Sequence, residues 1–165
     1  MEEDLYWVWL GSIPKLGLIK KNKLLDVFKH PRNIWDSNIK DFYELRFLNK
    51  NDISIISDTK LKEQAKIYLE LSIRQGLEII NINSEEYPEL LRQIYDAPIV
   101  LYKKGLNIFN NKSIAIVGSR KVSLYGANIT NKLSSQLAKL GITIVSGMAR
   151  GIDSLAHQSA ILAGG

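Results

Sequence analysis

The spacing of apolar positions divides the chain into two stretches of different period. Up to about residue 76 the apolar side chains recur at helical spacing. Leu5 to Leu10 is one short apolar run. IPKLGLIKKNKLLDVFKH is a Gly-containing hairpin followed by a helix marked by Leu24, Leu25 and Phe28, and Pro31 stops that helix. Two more helical patterns span Asp36 to Leu48 and Thr59 to Gln75. In the second, Thr59 is the expected N-cap and Gly76 the expected glycine past the helix end, with Leu61, Ala65, Tyr68, Leu69 and Ser72 inward. Trp7, Trp9 and Trp35 sit inside these apolar patterns and are expected in the core, whereas His30 is expected at the surface.

After Gly76 the period changes. LEIINI (77–82) and PIVLYKKG (98–105) predict strands, and SEEYPELLRQIYD between them predicts a turn with one or two helical turns. SIAIVG (113–118) is a continuous apolar run, as a strand buried on both faces requires. Leu124, Asn128 or Ile129, Leu133, Leu137 and Leu140 then make a helical stripe that ends at Gly141. ITIVSG (142–147) predicts the next buried strand and Asp153 to Ala163 the next helix. The expected fold is α/β: a small helical domain, 1–76, followed by an incomplete Rossmann-like parallel sheet with right-handed crossovers, 77–165. Such a sheet usually has about five or six strands. Only two of the parallel kind precede AILAGG, so the chain is expected to be part of a longer protein, and such a piece to be marginally stable or to cover its open edge by pairing with another copy.

Composition narrows the setting. With 45% apolar and 24% charged residues the chain is of the globular class, and the absence of cysteine excludes a disulfide framework and thiolate zinc sites. The start, MEEDLYW, is acidic where a signal peptide is basic, and its apolar run is too short to cross a membrane. A cytoplasmic protein without a membrane partner is expected. The net charge of +5 is unevenly placed: residues 1–112 hold 17 basic and 16 acidic side chains, residues 113–165 hold five basic and one acidic. An excess concentrated in a short segment points to an anionic partner, nucleic acid first.

Position sharpens that reading. In a parallel sheet both βα loops emerge at the carboxyl ends of the strands, where open α/β sheets bind ligands. Gly118-Ser119-Arg120 follows one strand and Ser146-Gly147-Met148-Ala149-Arg150-Gly151 the next, so the two loops are expected side by side. Each leads into a helix N-terminus, which attracts anions, and each carries an arginine suited to phosphate oxygens. With Lys121, Ser123, Tyr125 and Gly126 they form an expected polyanion cradle. A dinucleotide is disfavoured, because Arg120, Lys121 and Val122 stand where close-approach glycines belong and no acid ends the second strand; no Walker sequence is present either. Asp153 and His157, four apart on one helix, admit two readings: members of a hydrolytic site with Ser119 or Ser146, or a helix-capping acid and a histidine that brace the loop. The second is favoured, since the acid and the histidine share one element and no serine sits on a nucleophile elbow. One histidine and one carboxylate are too few for a metal site, and no cofactor is expected.

GSRKVSLYG and SGMARGIDSLAHQSAILAGG resemble the two signature loops of the DprA/Smf family, the DNA-processing proteins of bacterial transformation. YPELLRQIYDAPIVLYKKG resembles that family's lead-in, and IPKLGLIKKNKLLDVF its sterile-alpha-motif or helix-hairpin-helix-like domain. The resemblance implies a non-enzymatic protein that binds single-stranded DNA, protects incoming DNA and helps load the recombinase RecA during natural transformation, as a homodimer when full length. Carried onto this chain, it makes Gly118, Ser119 and Arg120 a phosphate-contacting motif. It makes Ser146, Gly147, Gly151, Asp153 and His157 a second loop shaping the same pocket, while Lys121 and Arg150 are added by position and charge. The alternative of another class is a nucleotide-processing enzyme of a related fold, which would show a Gly-Gly-rich second phosphate loop with a catalytic Glu or Arg nearby. In the helical domain, the hairpin from Ile13 to Leu18, surrounded by Lys15, Lys20, Lys21 and Lys23, reads either as a DNA-backbone contact or as scaffold. The near-neutral charge there, and Lys15 in the place of a glycine, favour scaffold.

Overall fold

A computed structural model describes residues 2–106 and 112–165. The chain forms two compact units, residues 1–106 and 107–165.

The first unit is organised around α1 (Glu2–Ser12), whose residues Tyr6 to Leu10 are all buried. A helix that is apolar all round must be enclosed, and α1 packs against α3 (Pro31–Asp36), α6 (Thr59–Arg74) and the second strand of a hairpin described below. Trp9 meets Trp35 edge-on at 5.2 Å, and Tyr6 meets the same ring at 5.5 Å. Lys62 lies 4.6 Å over the Trp35 ring and donates to its carbonyl. Trp7 and Trp9 are buried and Trp35 is half-buried, in line with the expected core.

The turns between helices depart from the sequence reading in instructive ways. α2 (Leu18–Phe28) ends at Lys29, in a left-handed conformation, before Pro31 is reached. Pro31 then opens α3 as its first residue, where its missing N–H costs nothing. His30 is more than a surface residue, for its Nδ1 accepts the Arg32 N–H as the N-cap of α3 and its Nε2 pairs with Glu3. The pattern expected as one helix from Asp36 to Leu48 is broken into the end of α3 and a short α4 (Ile39–Tyr43), which begins at an Asn38–Asp41 capping box. α5 (Lys50–Ile56) was not anticipated, and it too opens on a capping box, Asn49–Asp52. The N-cap of α6 is Asp58 rather than Thr59, and Gly76 takes the expected positive φ.

Two buried polar contacts fasten α2 into this unit. Asp52 Oδ2 accepts from Lys20 Nζ at 2.6 Å and from the Asn49 N–H. Burial pushes the Asp52 carboxyl up, but the Lys20 hydrogen bond, the Asn49 N–H and the Lys20 charge together hold it below the usual carboxylate range. Lys21, only 4% exposed, donates to the Gly11 carbonyl at 2.6 Å. That contact puts a cation on the carboxyl end of α1, whose last turn has no basic residue of its own.

β1 (Glu78–Asn81) and β2 (Val100–Lys103) form an antiparallel pair that belongs to this first unit, with α7 (Glu89–Arg92) in the connection between them. Ile79, Ile82, Ile99 and Val100 join the helical core. The compact units therefore meet at 106/107, whereas the sequence pattern put its boundary after Gly76. The period does change there, but the hairpin closes onto α1 and α6.

The second unit has the expected βαβα order: β3 (Ser113–Ala115), α8 (Leu124–Lys139), β4 (Thr143–Val145) and α9 (Ile152–Leu162), with β3 and β4 parallel. Two expectations fail. β3 is exposed along its length, and β4, on which α8 and α9 pack, is half-buried and exposed at Val145, so neither strand is buried on both faces. The α8 stripe also faces elsewhere: Leu124, Ile129, Leu133 and Leu140 are exposed, and Thr130, Ser134 and Ala138 are buried. The reason is the partner. α8 packs on α9, which offers Ala156 and Ala160, and a seam of small residues lets two helices approach where leucines would hold them apart.

The buried Lys21 gives a measurable pH dependence. Burial lowers its ammonium from the usual 10.5 to about 8, so between those values the unfolded chain binds the extra proton. The Lys21 contribution therefore rises with pH through that window and is flat below it. In urea melts, wild type should gain about 1–3 kcal/mol over Lys21→Met between pH 8 and 10.5.

Candidate nucleic-acid interface

Each strand of the parallel pair ends in a loop that the next helix captures. Ser123, in an extended conformation, is the N-cap of α8, its Oγ accepting the Gly126 N–H at 3.1 Å. Earlier in the same loop, the Ser119 Oγ accepts the Lys121 N–H at 3.1 Å. Among the described residues, the Leu124 and Tyr125 N–H groups in the first turn of α8 have no acceptor.

The second loop is held from within. Ser146 Oγ donates to the Ile116 carbonyl at 2.6 Å, which ties the end of β4 to the end of β3. The Gly147 N–H donates to Asp153 Oδ2 at 3.1 Å, and Ser154 Oγ donates to the Ala149 carbonyl at 2.7 Å. Asp153 is thus buried on α9 with its carboxylate turned to the loop backbone, as expected, but it does not cap the helix: the N-cap is Gly151, without a side-chain cap hydrogen bond.

The two loops touch. The Ile152 N–H donates to the Ser119 carbonyl at 3.2 Å. Gly151, at φ +92°, is pressed so close that a Cβ there would lie 2.3 Å from the Ser119 oxygen and 2.8 Å from the Arg120 Cα. Beneath them Ile152 acts as a wedge: a Cβ on Gly118 would fall within 2.9 Å of three of its side-chain atoms, and its Cδ1 lies under Gly126. Arg120 and Arg150 are neighbours as a result, since the Arg120 backbone abuts the glycine that follows Arg150.

The electrostatics are one-sided. Arg120, Lys121 and Arg150 are exposed and form no ion pair among the described residues. Asp153 is the sole acid from 113 to 165, and its carboxylate is buried and engaged. Gly118, Ser119, Gly147 and Tyr125 are also exposed, while Ser123 is exposed with its oxygen already accepting and Ser146 has committed its proton.

His157 does not reach the loops. It lines a cleft of about 360 Å³ with Ile142, Thr143, Ile144, Ala160 and Ile161, its Nε2 buried and without a hydrogen-bond partner. The expectation that it braces the loop is corrected: it lies farther along α9, against β4. No hydrogen bond joins Asp153, His157, Ser119 and Ser146, so the arrangement offers no proton relay to a hydroxyl. Among the described residues no group of three or more His, Cys, Asp or Glu is placed to hold a metal.

Sequence reasoning missed the Ile152 wedge and the left-handed Met148. Nothing in an Ile or a Met at those positions signals either role; both follow from the closeness of the loops.

Residues 78–165 match the family model of DNA recombination-mediator protein A, and the chain belongs to that family. It is 41% identical to the DNA processing protein DprA of Bacillus subtilis over 93 residues, which are 55% of this chain and 31% of that protein. It is 44% identical to DprA of Streptococcus pneumoniae over 48% of this chain and 28% of that protein. Protein Smf of Synechocystis is 28% identical across 99% of this chain and 42% of its own length. The X-ray structure of DNA processing protein A from Streptococcus pneumoniae superposes with a TM-score of 0.68 at 25% identity, over 100% of this chain and 55% of that one. The chain thus spans roughly a third of the curated relatives it matches.

Gly151→Ala should separate this unit from the other. The clash and the positive φ together should cost about 3 kcal/mol or more. All three tryptophans lie in the first unit, so the far-ultraviolet CD midpoint should fall further than the tryptophan fluorescence midpoint.

Proposed function

We propose that this member of the recombination-mediator family binds single-stranded DNA through the paired loops after β3 and β4. The observation that carries the reading is the juxtaposition of Arg120, Lys121 and Arg150, unpaired and exposed, around the open first turn of α8, with the one nearby acid turned away. Such a site neutralises a chain of phosphates without asking for a particular base. In this reading Arg120 and Arg150 clamp phosphate oxygens and Lys121 supplies a point charge. The Tyr125 N–H and the backbone around Gly118, Ser119 and Gly126 complete the anion site at the helix end. Ser146, Gly147 and Gly151 act by shape, holding the second loop against the first.

Single strands fit better than duplex because the cations sit on two short loops beside exposed apolar and aromatic side chains, the combination that lets bases lie on the protein while the backbone is held. The broader role proposed for the full-length protein is to protect incoming DNA and to help load RecA on it, with self-association of the full-length chain, in the cytoplasm and without catalytic turnover. The helical part, of a sterile-alpha-motif or helix-hairpin-helix-like kind, serves in this reading as scaffold.

Fluorescence anisotropy with labelled oligo-dT, titrated at several salt concentrations, tests the proposal. Affinity should fall linearly with salt on logarithmic axes, and Arg120→Ala should weaken all sequences alike and reduce the slope by about 0.7–1. Unchanged binding and slope in the Arg120→Ala variant would remove the site.

A further inference from the structure

Three non-glycine residues among those described have positive φ: Lys15, Lys29 and Met148. Lys29 ends α2, where a left-handed residue is the ordinary way to stop a helix, and Lys15 stands in the turn between α1 and α2. Met148 has no such reason. It sits at φ +55° at the crest of the second loop, and its side chain is 83% exposed. A left-handed methionine is strained, and strain persists where the surroundings over-determine it.

Here they do. The residue before it, Gly147, has its N–H bound to Asp153 Oδ2, and the residue after it, Ala149, has its carbonyl bound to Ser154 Oγ. Both partners are side chains of the first turn of α9, itself held to the other loop through the Ile152 N–H and the Ser119 carbonyl. Pinned on both sides, the backbone has to turn at 148, and the turn lifts the side chain into solvent two residues from Arg150. Glycine would relieve the strain at that position, and burial of the side chain in this unit does not compensate it. A large, polarisable, apolar group is thus presented outward beside the free cations.

From this geometry we infer that Met148 is a base-contacting residue: its thioether lies against the face of a nucleobase whose phosphates are held by Arg120 and Arg150. Methionine suits the task, since sulfur makes favourable contacts with aromatic rings and the side chain adapts to any of the bases. The inference rests on the proposed binding of single-stranded DNA at these loops, and gives that site a means of sensing bases as well as backbone.

The test compares labelled oligo-dT with an abasic strand of equal length, which has the phosphates and lacks the bases, using wild type, Arg120→Ala, Met148→Ala and Met148→Gly. Met148→Ala is expected to weaken oligo-dT by about twofold to tenfold and to leave the abasic strand unchanged. Met148→Gly should lose the same affinity without a lower Tm, because glycine accepts this backbone. Arg120→Ala should weaken both strands. If Met148→Ala binds oligo-dT like wild type while Arg120→Ala is impaired, the inference falls and the phosphate site stands. Equal loss on both strands, or a clear drop in the Tm of Met148→Gly, would make Met148 a loop-shaping or packing residue and also overturn it. If wild type binds neither strand, the proposed function falls and the inference with it.

Discussion

Two backbones meet at residue 151 at a distance that no side chain permits. With a Cβ there, the second loop could not lie on Ser119 and Arg120, and the hydrogen bond from the Ile152 N–H to the Ser119 carbonyl would open. The rest of the unit's architecture at that end follows from the approach. Ile152, the next residue, is carried beneath Gly118, which must lack a side chain in turn, and against Gly126. Asp153 is then placed to accept from Gly147, and Ser154 from its own position reaches Ala149. One close contact thus determines four others, and the arginines on either side of it become neighbours along the two loops.

The two units solve the same packing problem by opposite means. In the first, α1 is enclosed on every side, and bulky rings, Trp9 against Trp35 and Tyr6 against Trp35, fill the space around it. Two cations, Lys21 on the end of α1 and Lys20 on Asp52, satisfy polar groups that the enclosure would otherwise strand. In the second, α8 and α9 meet through Thr130, Ser134, Ala138, Ala156 and Ala160, and closeness replaces bulk. The consequence is that the larger aliphatic side chains of α8 are left outside the seam.

That contrast explains which parts of the sequence could be read. Order and type of the βαβα elements were legible because uninterrupted apolar runs between glycines have few other solutions. The neighbouring loops followed from topology, and the bracing role of Asp153 from its place at the start of a helix. The α8 stripe misled because hydrophobic periodicity locates an apolar face without saying whether the adjacent face of small residues packs first. α5 was hidden by its shortness, although Asn49 three residues before Asp52 is a helix-start signal in its own right. His157 was assigned to the loop from its spacing to Asp153, but four residues carry it a full turn down the helix, toward the flank of β4. The hairpin of β1 and β2 shows the limit of reading domains from period: a change from helix to strand marks a change of element, and only packing decides which unit owns it.

The chemistry of the loops is best understood from what Arg120 displaces. A dinucleotide loop keeps glycine there so that a pyrophosphate can reach the helix backbone. With Arg120, Lys121 and Val122 in place, exposed side-chain cations stand beside the open N–H groups at the helix end. In the proposed binding mode, contact through long side-chain cations tolerates variation in the spacing of successive phosphates, which a flexible single strand presents and a compact nucleotide does not. Asp153 completes the logic by its orientation. Its carboxylate is turned inward onto the Gly147 N–H, away from the exposed cations, and the five basic side chains of residues 113–165 outnumber this one acid. The same residue that shapes the loop therefore also keeps its charge away from the exposed cations.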